Sequence, residues 1–485
     1  MSDLSLHPLR VAAASFSTKI AAGLPTRGRT GARVERVVSD LITTVALFEQ
    51  ADRRICLVES PLDIRTFPFR LLLKPRLAAV FGIPEDQIIL FCDHNHCVPC
   101  LSERQANDWE VSSIPPLDAD PLNALGEEVL DAIVTAATPL PDRLEPATVS
   151  WGTAQETRVS YNRKGHWPDG STYFIREKER LDLGEDYIGL IDPDADVVTF
   201  HNDAGQPLLG LCRFTAHPVT SYHPERMTAT GEWSQFAADH LRREFGGDTP
   251  VAFLQGCAGN INSRYFLTGD IAKSAELGDL LGESFLQAYR KRQQVAVPEL
   301  GLDLLDVQVP LAALPSVTDL EAELAEIDAF IANPHLTNTY GAYTCVGLNF
   351  PEVLSPRYRA QLVKEIRGWY EWALSMHREN RLPEIPPTLP IRCPLLRFGD
   401  LALIGLPFEP FVEIGEHLKA VSPFTKLLPC GYVNESEGYI PHADGVGDRE
   451  YMSSFYRYSH YNPPFAAPAG DAVTDALRAY AERRA

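Results

Sequence analysis

The sequence predicts an α/β protein: one large domain of mixed sheet with helices packed around it. Three observations carry that class. Short apolar runs bounded by turn residues alternate along the chain with longer stretches whose apolar residues fall at helical spacing. Hydrophobic residues make up 45% and charged residues 22%, the mix of a chain that buries a core. Several apolar runs also end directly on a histidine, glutamine or glutamate, and open α/β sheets bind ligands outside the carboxyl ends of their strands.

The elements follow in order. Val11 to Phe16 and Leu41 to Phe48 read as strands, and Ile55 to Glu59 returns after an Ala-Asp-Arg-Arg turn. Phe67 to Phe81 has helical spacing and leads to the short apolar strand Ile88 to Cys92. Val197 to Phe200 and Leu208 to Phe214 flank Asn202-Asp203-Ala204-Gly205, a hairpin signal. A helix over Trp233 to Phe245 precedes the strand Val251 to Leu254, and Ala272 to Arg292 and Asp319 to Ala332 are helical. Leu401 to Leu406 is a strand, Phe411 to Val421 a helix after Pro410, and Ala472 to Arg484 the last helix. Proline accounts for 38 of 485 residues, about 8% against a usual share near 5%. Its denser stretches, 113–146 and 383–394, are expected as surface loops, and no internal repeat is visible.

Charge narrows the partners. Acidic residues number 65 and basic residues 44, a net −21 that repels phosphate backbones and anionic lipid. Nucleic acid and membrane surfaces are therefore poor partners, and no apolar run is long enough to cross a bilayer. The start, Met1 to Pro8, has no basic end followed by an apolar stretch, so no secretory signal is expected. Nine cysteines, an odd number without regular spacing, read as free thiols of a cytoplasmic protein.

The strand ends hold the chemistry. Ile88 to Cys92 runs into Asp93-His94-Asn95-His96, and Leu208 to Phe214 runs through Thr215-Ala216 into His217-Pro218. Val251 to Leu254 meets Gln255-Gly256-Cys257-Ala258-Gly259-Asn260, and the strand at Leu401 meets Glu409. Two histidines and a carboxylate are a common ligand set for a catalytic zinc. If the strand continued, period two would put His94 and His96 on one face, with Asp93 placed to accept from a ring. Taken alone, the pair stands open between a metal site and chance, and on local grounds Glu409 reads sooner as a first-turn helix acid stabilised by the dipole. His166, His201, His240 and His377 read as ordinary polar residues, and Cys97 and Cys100 as packing thiols: no second zinc knuckle accompanies them. Val98 and Pro99 stand where a metallo-β-lactamase motif needs Asp-His, and no nucleophile elbow, Walker loop or H-E-x-x-H motif is present.

In this order the residues resemble the catalytic domain of the neutral/alkaline non-lysosomal ceramidase family, from about Ala12 to the C-terminus. The resemblance rests on Gly82 to Leu90 leading to His94-Asn95-His96, on Phe214-Thr215-Ala216-His217-Pro218, and on Phe253 to Asn262. It also rests on Gly405-Leu406-Pro407-Phe408-Glu409 and on Gly438-Tyr439-Ile440-Pro441. It implies a zinc ion held by His94, His217, Glu409 and Tyr439, with His96 and Arg163 acting beside the metal and Tyr439 contributing to catalysis. Zinc lowers the pKa of its water to about 7 and polarises an amide carbonyl, so that hydroxide attacks at neutral pH. His96 then passes a proton to the departing amine, and Arg163 stabilises an anionic oxygen or anchors the substrate. Tyr451 and Tyr456 both stand where the family has a second active-site tyrosine.

The departures shift the expected substrate from ceramide to a smaller soluble amide. Cys97-Val98-Pro99 follows the histidine pair where the family has Ser-Gly/Ala-Pro, and Asn260 stands for an aspartate. Thr228 to Trp233 differs from the family's Ser-x-Asp-x-x-Gly, and the chain is expected to be a short homologue without the C-terminal immunoglobulin-like domain. The expected activity is zinc-dependent amide hydrolysis of a small molecule. The alternatives are an esterase, cyclase or acyl-transfer enzyme on a biosynthetic intermediate, or a non-catalytic ligand-binding homologue.

Overall fold

The strand Leu41–Gln50 turns back at once into Arg53–Ser60, and the helix Phe67–Phe81 carries the chain over to Ile88–Cys92, parallel to Arg53–Ser60. The helix buries Phe69, Leu73, Leu77 and Phe81, one residue per turn on one face, and stops at Gly82. Gly82 takes the left-handed conformation (φ 66°) that glycine reaches without penalty, and its amide donates to the Ala78 carbonyl. This hairpin–helix–strand unit occurs three times in the computed structural model, which describes residues 7–26, 32–103, 121–175, 177–223, 225–334, 355–458 and 462–484. The second copy is Asp194–His201, Pro207–Phe214, the helix Glu232–Glu244 and Val251–Gln255. The third is Thr388–Phe398, Leu401–Gly405, the helix Val412–Val421 and Lys426–Cys430.

The repetition extends further. An earlier strand pairs antiparallel with the first hairpin strand of each copy: Arg10–Thr18, Thr148–Gln155 and Leu300–Pro310. A second helix follows the parallel strand and packs against that earlier strand: Ala124–Ala137, Ile271–Arg290 and Ala472–Glu482. Three mixed sheets result, two of five strands and one of four, each antiparallel except for the edge pair bridged by the crossover helix. No repeat is legible in the sequence because the copies share topology and apolar pattern, not residues, and the segments between first and second strands differ greatly in length.

The sheets turn one face towards each other and cover the other with helices. Phe48, Phe200 and Phe398, each near the end of its copy's first hairpin strand, close a triangle of rings with centroids 5.2, 5.1 and 5.1 Å apart. Around them Val11, Val149, Leu209, Leu401 and their neighbours form one core that belongs to all three sheets. Each aromatic contact is worth about 0.5–1.5 kcal/mol beyond its buried area. The triangle lies at the hairpin-turn end of the sheets. Their opposite end, where the parallel pairs finish, is left for polar residues.

Both proline-rich stretches correct the expectation of loops. Within 113–146 the residues from 121 hold the helix Ala124–Ala137, with prolines only outside it and Asn123 accepting from the Gly126 amide as cap; 113–120 lie outside the described residues. Within 383–394, Pro390 and Pro394 belong to the strand Thr388–Phe398. They pair with Gln308 and Leu304, whereas the other neighbour reaches only Leu395–Phe398, so both prolines sit where the strand has one partner. Among the described residues no helix is long and apolar enough to cross a membrane.

Candidate metal centre

Each sheet delivers one side chain to a common point. The strand Ile88–Cys92 ends and His94 follows at φ 65°; Phe214 ends its strand three residues before His217; Gly405 ends its strand four residues before Glu409. One ligand atom from each of His94, His217 and Glu409 lies within 4.8 Å of the others. Glu409 Oε2 is 3.1 Å from His217 Nε2 and 3.3 Å from His94 Nε2. The strand does not continue through the histidine pair as period two requires. A turn brings the rings together instead, with His94 Nε2 and His96 Nε2 3.1 Å apart.

The turn is held by Asn95, fully buried between the histidines. Its side chain donates to the Thr230 carbonyl at 2.7 Å and accepts from the Cys97 amide at 2.7 Å. The Asp93 carboxylate accepts from the Asn95 amide and from the Ser234 hydroxyl. Gln255, at the end of its strand, donates to the carbonyls of Asp93 (3.0 Å) and Ala216 (2.7 Å), and so ties the His94 loop to the His217 loop. His217 Nδ1 faces the carbonyls of Ala258 (2.8 Å) and Ile261 (3.0 Å). Neither carbonyl can donate, so the proton belongs on Nδ1 and the lone pair on Nε2, towards Glu409. Burial lowers the His217 pKa and Arg163 lowers it further, against the upward pull of Glu409; the net lowering favours the neutral ring, the form that binds metal.

Tyr439 arrives beside Glu409 because the two residues pair directly: the Glu409 amide donates to the Gly438 carbonyl at 2.8 Å, and Glu409–Pro410 runs parallel to Tyr439–Ile440. Its hydroxyl is 3.1 Å from His217 Nε2. Burial pushes the phenol well above its ordinary pKa while Arg163 draws it down. Arg163 is fully buried and its guanidinium donates to Tyr439 Oη (2.8 Å), the Gly259 carbonyl (2.7 Å) and Asn262 Oδ1 (2.9 Å), with Met452 Sδ at 3.1 Å. Gly259 must be glycine: a Cβ there would stand 2.4 Å from the Glu409 carbonyl oxygen.

His94, His217, Arg163 and Tyr439 are buried, whereas His96 and Glu409 keep partial access to solvent. Of the two downstream tyrosines, Tyr451 lies against Tyr439 with centroids 5.5 Å apart; Tyr456 packs on Trp369 in a separate cluster. Asn260 caps another element, accepting from the Val412 amide at the start of the helix Val412–Val421 and donating to Glu413. Cys97 and Cys100 are buried free thiols. Burial, and then the Glu232 carboxylate, raises Cys97 well above an ordinary thiol pKa, and Cys100 donates to the Thr26 carbonyl. Sequence reasoning missed Tyr432, whose ring lies 4.5 Å from His94 and whose hydroxyl is 3.5 Å from Glu409 Oε2. The strand-end pattern that found the other site residues also applies to it, since it follows Lys426–Cys430, but Pro429 inside that run hides the strand.

Two imidazole nitrogens and a carboxylate oxygen, gathered from three sheets with one imidazole tautomer fixed, fit a divalent cation. Searches with the whole chain find no matching family model and no matching curated protein. Among solved structures, a ceramidase complexed with C2 aligns over 98% of this chain and 76% of its own, at 18% identity and a TM-score of 0.66. Neutral ceramidase from Pseudomonas aeruginosa aligns over 98% and 75%, at 17% identity and a TM-score of 0.62. This chain has the neutral ceramidase fold. The ceramidase likeness spans nearly all of it, and every site residue that the resemblance implied, Tyr456 excepted, lies at or beside one cluster at the carboxyl ends of the parallel strand pairs.

Proposed function

We propose that the chain is a zinc-dependent hydrolase that cleaves a carbon–nitrogen amide bond in a small soluble substrate, and that all 485 residues form one catalytic domain. The observation that carries this reading is the convergence of His94, His217 and Glu409, each from a different sheet, beside Tyr439 and Arg163. The ceramidase fold supports the amide class. His94, His217, Glu409 and Tyr439 would hold the ion. When bound, zinc acidifies a water and polarises a carbonyl.

The chain's own residues do the rest. His217 presents a fixed lone pair because its other nitrogen is spent on two carbonyls. Arg163 orients the Tyr439 hydroxyl and supplies positive charge where an oxyanion develops. Its partners hold it rigid, so it costs no reorganisation during reaction. His96, half-buried and in contact with His94, takes a proton at Nε2 and delivers it to the leaving amine. Tyr451 borders the same space against Tyr439 and serves as the second active-site tyrosine. The buried free cysteines support a reducing, cytoplasmic setting.

The test is metal analysis of the purified protein together with turnover of short N-acyl amides before and after chelation. Stoichiometric zinc and chelator-sensitive turnover support the reading. No bound zinc with full activity in chelator sinks it. Product analysis in labelled water separates hydrolysis from acyl transfer or cyclisation, because only hydrolysis places solvent oxygen in the acid product.

A further inference from the structure

Tyr432 is the site's unexplained neighbour. It sits two residues past the third copy's parallel strand, the place that His94 occupies after the first copy's parallel strand, and both residues take left-handed backbone conformations, φ 61° and 65°. A tyrosine adopts that region only when its surroundings over-determine it. They do so here from both ligand loops. The Tyr432 amide donates to the carbonyl of Phe408, one residue before Glu409, at 2.8 Å. Its carbonyl accepts from the amide of Cys92, two residues before His94, at 3.3 Å.

The side chain repeats the pattern. The ring lies against His94 at 4.5 Å, and the hydroxyl reaches Glu409 Oε2 at 3.5 Å. The Arg65 guanidinium lies 5.6 Å from the ring's centre. Arg65 is fixed by two 3.0 Å bonds to Asp63 and one of 3.2 Å to the Glu435 carbonyl, so the ring is backed by a rigid, buried cation.

We propose that Tyr432 is a positioning residue that sets the mutual placement of His94 and Glu409, and through them the affinity and coordination of the cation they hold. The inference rests on the metal reading above. Outer-shell partners of this kind typically change metal affinity by about 10–100-fold when removed.

The test titrates Zn2+ into wild type, Tyr432→Phe and Tyr432→Leu in competition with a chromophoric chelator, and records the visible spectrum of each with Co2+. Trp369→Phe, in a separate hydrophobic cluster that holds none of the ligand residues, serves as a core variant. Tyr432→Leu is expected to weaken zinc binding by about 10–100-fold and to alter the cobalt spectrum. Tyr432→Phe, which keeps the ring and loses the hydroxyl, falls between it and wild type. Trp369→Phe lowers the urea midpoint without changing either readout. Wild-type affinity and spectrum in both Tyr432 variants overturn the inference and leave the metal reading standing. A wild type that binds neither ion overturns both.

Discussion

Zinc added to chelator-stripped protein is expected to raise Tm by about 4 °C when its free concentration is about 1,000 times Kd. A ligand of the folded state alone then contributes about 4.1 kcal/mol. How far this moves Tm depends on how much of the chain melts together. The candidate ligands His94, His217 and Glu409 come from three sheets that share one core, so the whole chain is the relevant unit. At about 2.1 cal/mol/K per residue, 485 residues have an unfolding entropy of about 1.0 kcal/mol/K, which gives the 4 °C figure. If the first copy melted alone, about 140 residues would carry about 0.3 kcal/mol/K and the shift would be about 14 °C. Differential scanning calorimetry with and without zinc distinguishes the two. His94→Ala should keep the fold and lose the shift. A shift near the larger value refutes the coupling of the sheets, and an undiminished shift in His94→Ala refutes the ligand assignment.

Further outcomes follow from single contacts. Arg163→Lys places one ammonium where a planar guanidinium serves five partners, and should lower kcat/KM on a short N-acyl amide by about 100-fold or more, as for loss of an oxyanion donor. Tyr451→Phe should reduce kcat by about 100-fold or more, the scale of a lost acid or base, while Tyr456→Phe leaves kcat unchanged; equal effects would remove the distinction drawn from their positions. Glu232 is fully buried and accepts from the Ser221 amide and hydroxyl and from the Ser274 hydroxyl, so Glu232→Ala should cost at least about 3 kcal/mol in urea unfolding. Lys74 is held down to a pKa of about 8 by burial and by Arg70, below its unfolded value. Between pH 8 and 10.5 the unfolded chain therefore binds more protons there than the folded one. Wild-type stability should rise across that window relative to Lys74→Met, and parallel pH profiles would count against it.

Elements with strong local signals were legible in the sequence. Phe67–Phe81 and Ile88–Cys92 end where a proline, a glycine and an apolar boundary say they should, and the hairpin at Asn202 is fixed by that residue's side chain accepting from the Ala204 and Gln206 amides. The candidate site was legible in part, because His94, His217 and Glu409 each follow a strand end. Proline misled twice. In Thr388–Phe398 its missing amide is tolerated beside an open edge, and around Ala124–Ala137 it marks helix boundaries. Neither situation is visible without knowing which strands are neighbours. The contacts of Asn95 and Gln255 were likewise hidden, since each joins segments more than 130 residues apart.

The triangle of Phe48, Phe200 and Phe398 joins the three similar units at the hairpin-turn end of the sheets, and the His94–His217–Glu409 cluster joins them again beyond the ends of their parallel strand pairs. One residue of the His94–His217–Glu409 cluster per unit is the arrangement a homotrimer would give to a metal bound where its subunits meet. Such a trimer must offer three identical ligands. Joined in a single chain, the same positions are free to differ, so that one unit supplies the His-x-His turn, another a lone histidine, and the last a carboxylate with a tyrosine at its side.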